Sequence, residues 1–544
     1  MSHWWQDTTV YQIYPRSFQD SNGDGIGDLR GIIQRLDYLQ DLGVGALWLC
    51  PIYQSPNDDN GYDIANYREI MSEFGTMADF DELVSEAKKR GMRLIMDLVV
   101  NHTSDEHAWF IDAKSSPTAE HRDWYIWRDP APDGGAPNAL SSMFGGSAWE
   151  YDQLSGQYYL HLFSKKQPDL NWANPAVHSA VYDMMNFWLD KGIGGFRMDV
   201  IELLGKEPDR LITGNGPRLH EYLQEMNHAT FGRGDYLTVG ECWGATPEIA
   251  HLYTDADRHE LSMIFQFGHI ELDQKPGKDK WETRPLNVNA LRDLLFKWQD
   301  EFASSGWPTL FWSNHDVPRI ARWTIPGPLQ DKQLKMFATL LYLMKGTPFI
   351  FQGEELGLRN HPVTSVEELR DIESINLYHS RRDAGQSEAE ILSAINEKGR
   401  DNARRPMQWS STHEAGFTTG KPWIALNNDY QIRNAELEAK DPNSVLAYYR
   451  QLLHLRKSTP SILKGQFIRL PKEPDGVAGY IRTFGDVKLL VVANMTGTTQ
   501  HLHTSLDIRR VLLTNGDFDR QQDDVILPPY VAFAAEVVGG NSNE

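Results

Sequence analysis

Cysteine is nearly absent from this chain: Cys50 and Cys242 are the only two in 544 residues. Both fall at the ends of apolar runs, so no disulfide between them is expected, and a cytoplasmic setting fits. Positive charge is also short. Lys and Arg total 53 against 75 Asp and Glu, for a net charge of −22. That balance argues against nucleic acid or an anionic membrane as a partner and leaves a neutral substrate open. No stretch reaches the ~18 consecutive apolar residues of a membrane span. The start, Met-Ser-His-Trp-Trp-Gln-Asp, has neither the basic nor the apolar region of a signal peptide. Internal repeats and low-complexity tracts are missing too. A globular protein, taken as a monomer, is the expectation.

What the chain does have is acid at the ends of apolar runs. Gly195-Phe196-Arg197-Met198 leads into Asp199, and Leu237-Thr238-Val239-Gly240 into Glu241. Apolar β-formers running into a carboxylate are how a buried parallel strand delivers an acid to the rim of a barrel. Further runs end in Asn101-His102, in Asn314-His315-Asp316 and in Glu354-Glu355, while Val10–Pro15 and Ala46–Pro51 read as the first two strands. A single strand-end acid is usually structural, because it can cap the next helix. A series of them, separated by helical stretches, points to a catalytic rim. Two carboxylates facing one bond are what glycoside hydrolysis requires. Arg197 lies two residues before Asp199, so on a strand it shares that direction and would keep the carboxylate ionised. Trp243 shares the parity of Glu241 and could supply an apolar wall. The 17 Trp and 21 Tyr mostly imply core packing, with a few free to stack on a sugar ring.

Strand and helix patterns alternate to about residue 355, with helices read over Leu29–Leu42, Met77–Arg90, Pro175–Lys191 and Val288–Phe302. Such alternation predicts a (β/α)8 barrel of the TIM type, here over residues 1–101 and 172–460. Residues 102–171, rich in Pro, Gly, Asp and Trp, are too long for a simple loop and read as a subdomain inserted after strand 3. An irregular insert spans about 355–427, followed by a helix from Leu446 to Lys457. From 461 to 544 short alternating strands predict a C-terminal antiparallel β-sandwich, with Gly539–Glu544 as a frayed tail.

Together these segments resemble glycoside hydrolase family 13, the α-amylase family. Four signature regions stand in order at Asp97–His102, Gly195–Val200, the Glu241 segment and Asn314–Asp316. Gln167-Pro168-Asp169-Leu170-Asn171 is similar to the fifth, in the form of the oligo-1,6-glucosidase subfamily. The stretch Gly240–Ala250 and Asn215-Gly216-Pro217 look like bacterial glucan 1,6-α-glucosidases (dextran glucosidases). The resemblance implies Asp199 as nucleophile, Glu241 as general acid/base and Asp316 as a third acid holding ring hydroxyls. It implies His102 and His315 as substrate-binding histidines, Asp63 as the acid that holds a terminal glucose, and Tyr62 as its stacking platform. Arg400 or Arg404 should pair with Asp63, Arg400 being favoured. Arg405 departs from the family's usual Thr and leaves that loop's geometry open. Val200, Trp243 and Lys275 match residues around the leaving group. The implied activity is a retaining exo-α-glucosidase acting on α-1,6 bonds of isomalto-oligosaccharides or dextran. Alternatives are a trehalose-6-phosphate hydrolase, an α-1,4-acting α-glucosidase, a transglucosylase or sucrose isomerase, and a non-catalytic binding subunit. The last is disfavoured, because all three acids are kept.

Asp20-Ser21-Asn22-Gly23-Asp24-Gly25-Ile26-Gly27-Asp28 has the oxygen spacing of a calcium loop: side chains of Asp20, Asn22, Asp24 and Asp28, the backbone carbonyl of Ile26, and Gly at position 6. Position 12 is Gly31 rather than Glu, and a strand precedes the loop, so it is not an EF-hand. Similar loops in the subfamily imply structural Ca²⁺, with Mg²⁺ as the other occupant. No organic cofactor is expected.

Overall fold

The computed structural model describes residues 3–539; residues 540–544 of the expected tail lie outside them. Eight parallel strands form the catalytic sheet: β1 Val10–Ile13, β2 Ala46–Leu49, β3 Arg93–Leu98, β4 Gly195–Met198, β5 Leu237–Glu241, β6 Met263–Phe265, β7 Thr309–Leu310 and β8 Thr347–Phe351. Their order is β6-β5-β4-β3-β2-β1-β8-β7. The Thr309 hydroxyl donates to the Ile264 carbonyl at 3.0 Å, which links β7 to β6 and brings the two edges together.

Alternation along each strand separates two cores. Val10, Ala46, Trp48, Ile95, Leu237, Val239, Met263, Phe265 and Phe349 pack together inside the barrel. Tyr11, Leu47, Leu94, Met96, Phe196 and Ile350 face the surrounding helices. Because successive side chains on a strand point to opposite faces, this parity decides what reaches the mouth. Residues 95 and 97, 195, 197 and 199, and 237, 239 and 241 share the inward direction, so Asp97, Arg197, Asp199 and Glu241 emerge together above the interior.

Helices Met77–Lys89, Pro175–Asp190, Val288–Glu301 and Val445–Ser458 fall where the patterns put them. The pattern over Leu29–Leu42 is two helices, Leu29–Gln34 and Leu36–Leu42. Arg35 leaves helical geometry between them (φ −106°, ψ 4°) and turns its guanidinium to Gln19 and the Trp409 ring. The region read as irregular holds two further helices, Ile372–Asp383 and Glu388–Lys398. The first fully buries only Ser374 and lays Ile375, Leu377 and Tyr378 part-buried against a cluster that includes Trp281 and Ile391; its N-terminal amides are capped by the Asp371 carboxylate.

The insert after β3 is built on a three-stranded antiparallel sheet, with Gln157–Leu160 between Trp127–Arg128 and Trp149–Asp152. Its core of Trp149, Leu160 and Leu162 continues onto Val200 and Leu203, so the insert packs on the turn that follows Asp199. Toward the C-terminus a five-stranded and a three-stranded antiparallel sheet enclose Val477, Leu490, Val492, Leu502, Val525 and Phe533. The opposite face of the larger sheet, through Tyr480, Leu489 and Val491, joins the barrel's core. Among the described residues no helix is long and apolar enough to cross a membrane.

Candidate active site

Arg197 organises the barrel mouth. One of its terminal nitrogens, Nη1, donates to Asp97 Oδ1 and Asp199 Oδ1, each at 2.8 Å, and Nη2 donates to Glu241 Oε2. All four side chains are buried. Glu241 Oε2 also accepts the Val200 amide at 3.1 Å, and Oε1 accepts the Trp243 indole N–H at 2.9 Å. The nucleophile and the acid of the sequence reading are therefore held by one guanidinium from two adjacent strands. Burial raises the pKa of Asp199 and of Asp97 against the pull of Arg197. Val200 sits in the left-handed region at φ 36°, which a β-branched residue adopts only under constraint.

A second group lies beside the first. Asp316 Oδ1 accepts from Arg404 at 2.8 Å and from Arg400 at 3.3 Å, and its Oδ2 lies 3.1 Å from His315 Nε2. Burial would raise the pKa of Asp316, but His315, Arg400 and Arg404 hold it well below the usual range. Burial likewise opposes a charge on His315, yet Asp316 lifts its pKa to about 10. The Tyr62 ring stacks on His315 with centroids 5.1 Å apart, and its hydroxyl donates to Asp97 Oδ2 at 2.9 Å, which ties the two groups together. His102 is neutral, burial depressing its pKa to about 4; Nε2 lies 3.1 Å from the Tyr62 carbonyl.

Two expected residues are misplaced by the sequence reading. Asp63 does not meet Arg400 or Arg404. It is fully buried, accepts from Ser55 Oγ and from the amides of Asp58 and Asp59, and burial lifts its pKa to about 7. Asp63 thus ties the turn in which Asn60 and Gly61 take positive φ (49° and 99°), a geometry suited to Asn-Gly. The turn presents Asp59 instead: Arg400 Nη2 donates to Asp59 Oδ1 at 3.1 Å, while Asp371 takes Arg400 Nε at 2.8 Å. Lys275 is the second correction. Its side chain is 53% exposed, 3.7 Å from Glu282, and off the cavity wall. Lys280 takes that place and pairs with Glu373 at 2.6 Å. No periodicity distinguishes Lys275, Lys278 and Lys280 in one loop. Arg405 turns away from the site and donates to the Ala425 carbonyl at 2.9 Å.

The cavity measures about 490 Å³, within the range of small-ligand sites. Asp59, Tyr62, His102, Asp199, Val200, Glu241, Trp243, Asp316 and Arg400 all line it, together with Phe144, Phe163 and Trp281. Trp243 is 39% exposed and stacks on Phe267 with centroids 3.8 Å apart, a flat apolar face beside the acid. Carboxylates outnumber cations along the wall, and each cation is paired: Lys280 with Glu373, Lys398 with Asp273, and Arg400 with Asp59, Asp316 and Asp371. The strand-end acids Glu354 and Glu355 are not on the wall. They are buried against the hydroxyls of Tyr342 and Tyr449, and of Tyr11 and Tyr38.

The 20–28 loop closes on its own oxygens. Asp20 accepts the amides of Asn22, Gly23 and Gly25, Asn22 that of Asp24, Asp24 that of Ile26, and Asp28 those of Ser21 and Gly31. Among the described residues no three acidic, His or Cys side chains converge as a metal cluster. None of Asp20, Asp24 and Asp28 forms an ion pair among them either, so three negative charges within nine residues lack a protein counter-ion. That donor set of hard oxygens fits a divalent cation.

The Alpha-amylase family model (alpha amylase, catalytic domain) matches residues 12–465. A glucan 1,6-alpha-glucosidase from Streptococcus pneumoniae is 51% identical over 538 residues, covering 98% of this chain and 99% of that protein. An oligo-1,6-glucosidase from Parageobacillus thermoglucosidasius is 49% identical over 552 residues, with 97% and 98% covered. Among solved structures, the trehalose-6-phosphate hydrolase of Bacillus licheniformis superposes with a TM-score of 0.93 at 43% identity, covering 99% of this chain and 100% of that one.

Proposed function

From the premise that the chain belongs to the α-amylase family, we propose that it is a retaining exo-α-glucosidase that cleaves α-1,6-glucosidic bonds at the non-reducing ends of isomalto-oligosaccharides. The observation that carries this is the pair of carboxylates, Asp199 and Glu241, held by Arg197 on the wall of one cavity. Asp199 attacks the anomeric carbon as Glu241 gives its proton to the departing oxygen; Glu241 then takes a proton from the water that displaces Asp199. Glu241 Oε1 has one hydrogen-bond donor where Oε2 has two, so Oε1 is the oxygen that carries the transferable proton. Asp59, Arg400, Asp316 and His102 provide charged and polar groups for the hydroxyls of one terminal ring.

A neutral glucan is favoured over a sugar phosphate. Every cation on the wall is already paired, and the excess of carboxylates repels a phosphate. Initial rates on isomaltose, isomaltotriose, maltose, sucrose and trehalose 6-phosphate test the assignment. Isomaltose should lead; equal or faster turnover of trehalose 6-phosphate overturns it. The two cysteines are free and buried, which supports a cytoplasmic protein.

Calcium in the 20–28 loop is part of the same reading, held by Asp20, Asn22, Asp24, the Ile26 carbonyl and Asp28, with a role in stability only. An ion bound by the folded state alone must raise the melting temperature. Chelation should lower it in the wild type and leave Asp24→Ala unchanged. Superimposable wild-type melts with and without chelator reject the metal.

A further inference from the structure

Glu202 stands on the same wall as Glu241, and no step above uses it. It lies in the 3₁₀ turn Ile201–Leu203, buried, two residues beyond Val200. All the groups that donate to its carboxylate are neutral: the Trp243 amide at 2.9 Å, the Gly244 amide at 3.1 and 3.2 Å, and Asn215 Nδ2 at 3.0 Å. Asn215 is fixed in turn, accepting the Tyr253 hydroxyl at 2.5 Å and donating its own amide to the Glu202 carbonyl at 2.9 Å. Among the described residues no cation pairs with Glu202. The titratable groups facing it are Glu241, Cys242 and Tyr253. Burial raises the pKa of Cys242 and Tyr253, and the charge of Glu202 adds to both shifts. Burial raises that of Glu202 itself, and repulsion from Glu241 adds to it.

A buried carboxylate with no counter-ion is costly to keep, so its hydrogen bonds indicate what it is kept for. They converge on the backbone of Trp243 and Gly244. Trp243 is pinned on one side by Phe267 and delivers its indole N–H to Glu241 Oε1. We propose that Glu202 is a positioning residue for the acid: it clamps Trp243 so that the indole fixes Glu241 Oε1, and its negative charge opposes the loss of the Glu241 proton. This rests on Glu241 being the proton donor of the proposed glucosidase.

Glu202→Gln isolates the charge. With a carboxamide at 202, its oxygen keeps the Trp243 and Gly244 amides, the Asn215 amide can turn over with the Tyr253 hydroxyl accepting rather than donating, and only the second contact of the Gly244 amide is lost. Kinetics on isomaltose, which needs protonation of its leaving group, should fall about 10–100-fold, while an aryl α-glucoside with an acidic leaving group loses far less. The alkaline limb of the isomaltose profile should move to lower pH, because a like charge that held the proton is gone. Equal losses on both substrates with an unmoved limb would reduce Glu202 to a structural residue and overturn the proposal. Should Glu202→Gln melt below the assay temperature, Tyr253→Phe tests the clamp alone: it frees Asn215 and keeps the charge, so isomaltose kinetics should fall more than aryl-glucoside kinetics, and equal losses on both overturn the clamp. Wild-type turnover of isomaltose is the control. Its absence defeats the proposed function, whereas an active wild type with an unmoved variant limb defeats this role alone.

Discussion

Two clusters of buried charge share one cavity and differ in balance. Around Arg197 a single guanidinium faces three carboxylates, Asp97, Asp199 and Glu241. Beside it Arg400, Arg404 and His315 face Asp59, Asp316 and Asp371. Full ionisation of the first cluster would leave two negative charges uncompensated in a buried site, and burial raises the pKa of Asp199 and Asp97 against the pull of Arg197. The second cluster is matched charge for charge; its cations hold Asp316 and Asp371 below the usual range against the effect of burial. The proposed mechanism assigns proton transfer to the unbalanced cluster and orientation to the balanced one.

The largest effects should come from breaking the first. Asp199→Asn removes the atom that forms the glycosyl ester and should lower kcat about 10⁴–10⁶-fold with the fold intact by circular dichroism. Activity within tenfold of wild type would reject the assignment. Glu241→Gln should be nearly inactive on isomaltose and partly spared on aryl glucosides, which leave without protonation.

The second cluster should fail differently. Asp59→Asn frees one arm of Arg400 and misplaces the ring it orients, a loss of about 10²-fold in kcat/KM on all substrates alike. Its pH profile should keep the wild-type shape, because Asp59 bonds to none of Asp97, Asp199 and Glu241. Asp63→Asn, four residues on, removes a charge that is already disfavoured by burial and keeps most of the turn's hydrogen bonds, so kcat/KM should change by less than about threefold. If Asp63→Asn were the more damaging of the two, the turn would be delivering a different acid from the one seen here.

That contrast marks the limit of what the sequence carries. Strand parity made Asp199, Arg197 and Glu241 legible, because period-2 alternation fixes direction once one inward residue is known. Asp59 and Asp63 share a single turn, and only the left-handed Asn60-Gly61 backbone decides which of them meets Arg400. Lys275 and Lys280 pose the same problem in a loop without a period. The helix Ile372–Asp383 escaped because its few apolar residues, Ile375, Leu377 and Tyr378 among them, are only part-buried and end in a polar second half. Glu354 and Glu355 carried the rim signature yet serve four tyrosine hydroxyls, from the first strand and from three helices, partners that no local pattern joins to them. The barrel and its reacting groups follow from local pattern; the balanced cluster is assembled from loops, where pattern is weakest.

The last effect, on specificity rather than on rate, concerns Val200, which belongs to neither cluster but touches the first through its amide. Its side chain lines the cavity and packs with Leu203 and the insert's Trp149 and Leu160. A branched side chain beside the nucleophile narrows the space where the leaving group departs. A secondary hydroxyl leaving group brings a whole ring against that wall, whereas a C6-linked ring stands one carbon further off and can swing clear. One such contact is worth about 1–3 kcal/mol of discrimination. Val200→Ala should therefore gain activity on maltose while isomaltose changes little, so that the ratio of the two kcat/KM values falls about 5–100-fold. Alanine tolerates φ 36° better than a β-branched residue does, which offsets part of the packing lost to the insert, so the melting temperature should move little. An unchanged ratio in the variant, or a wild type that hydrolyses maltose as fast as isomaltose, would remove Val200 from the account of linkage preference and leave the two charge clusters to explain catalysis alone.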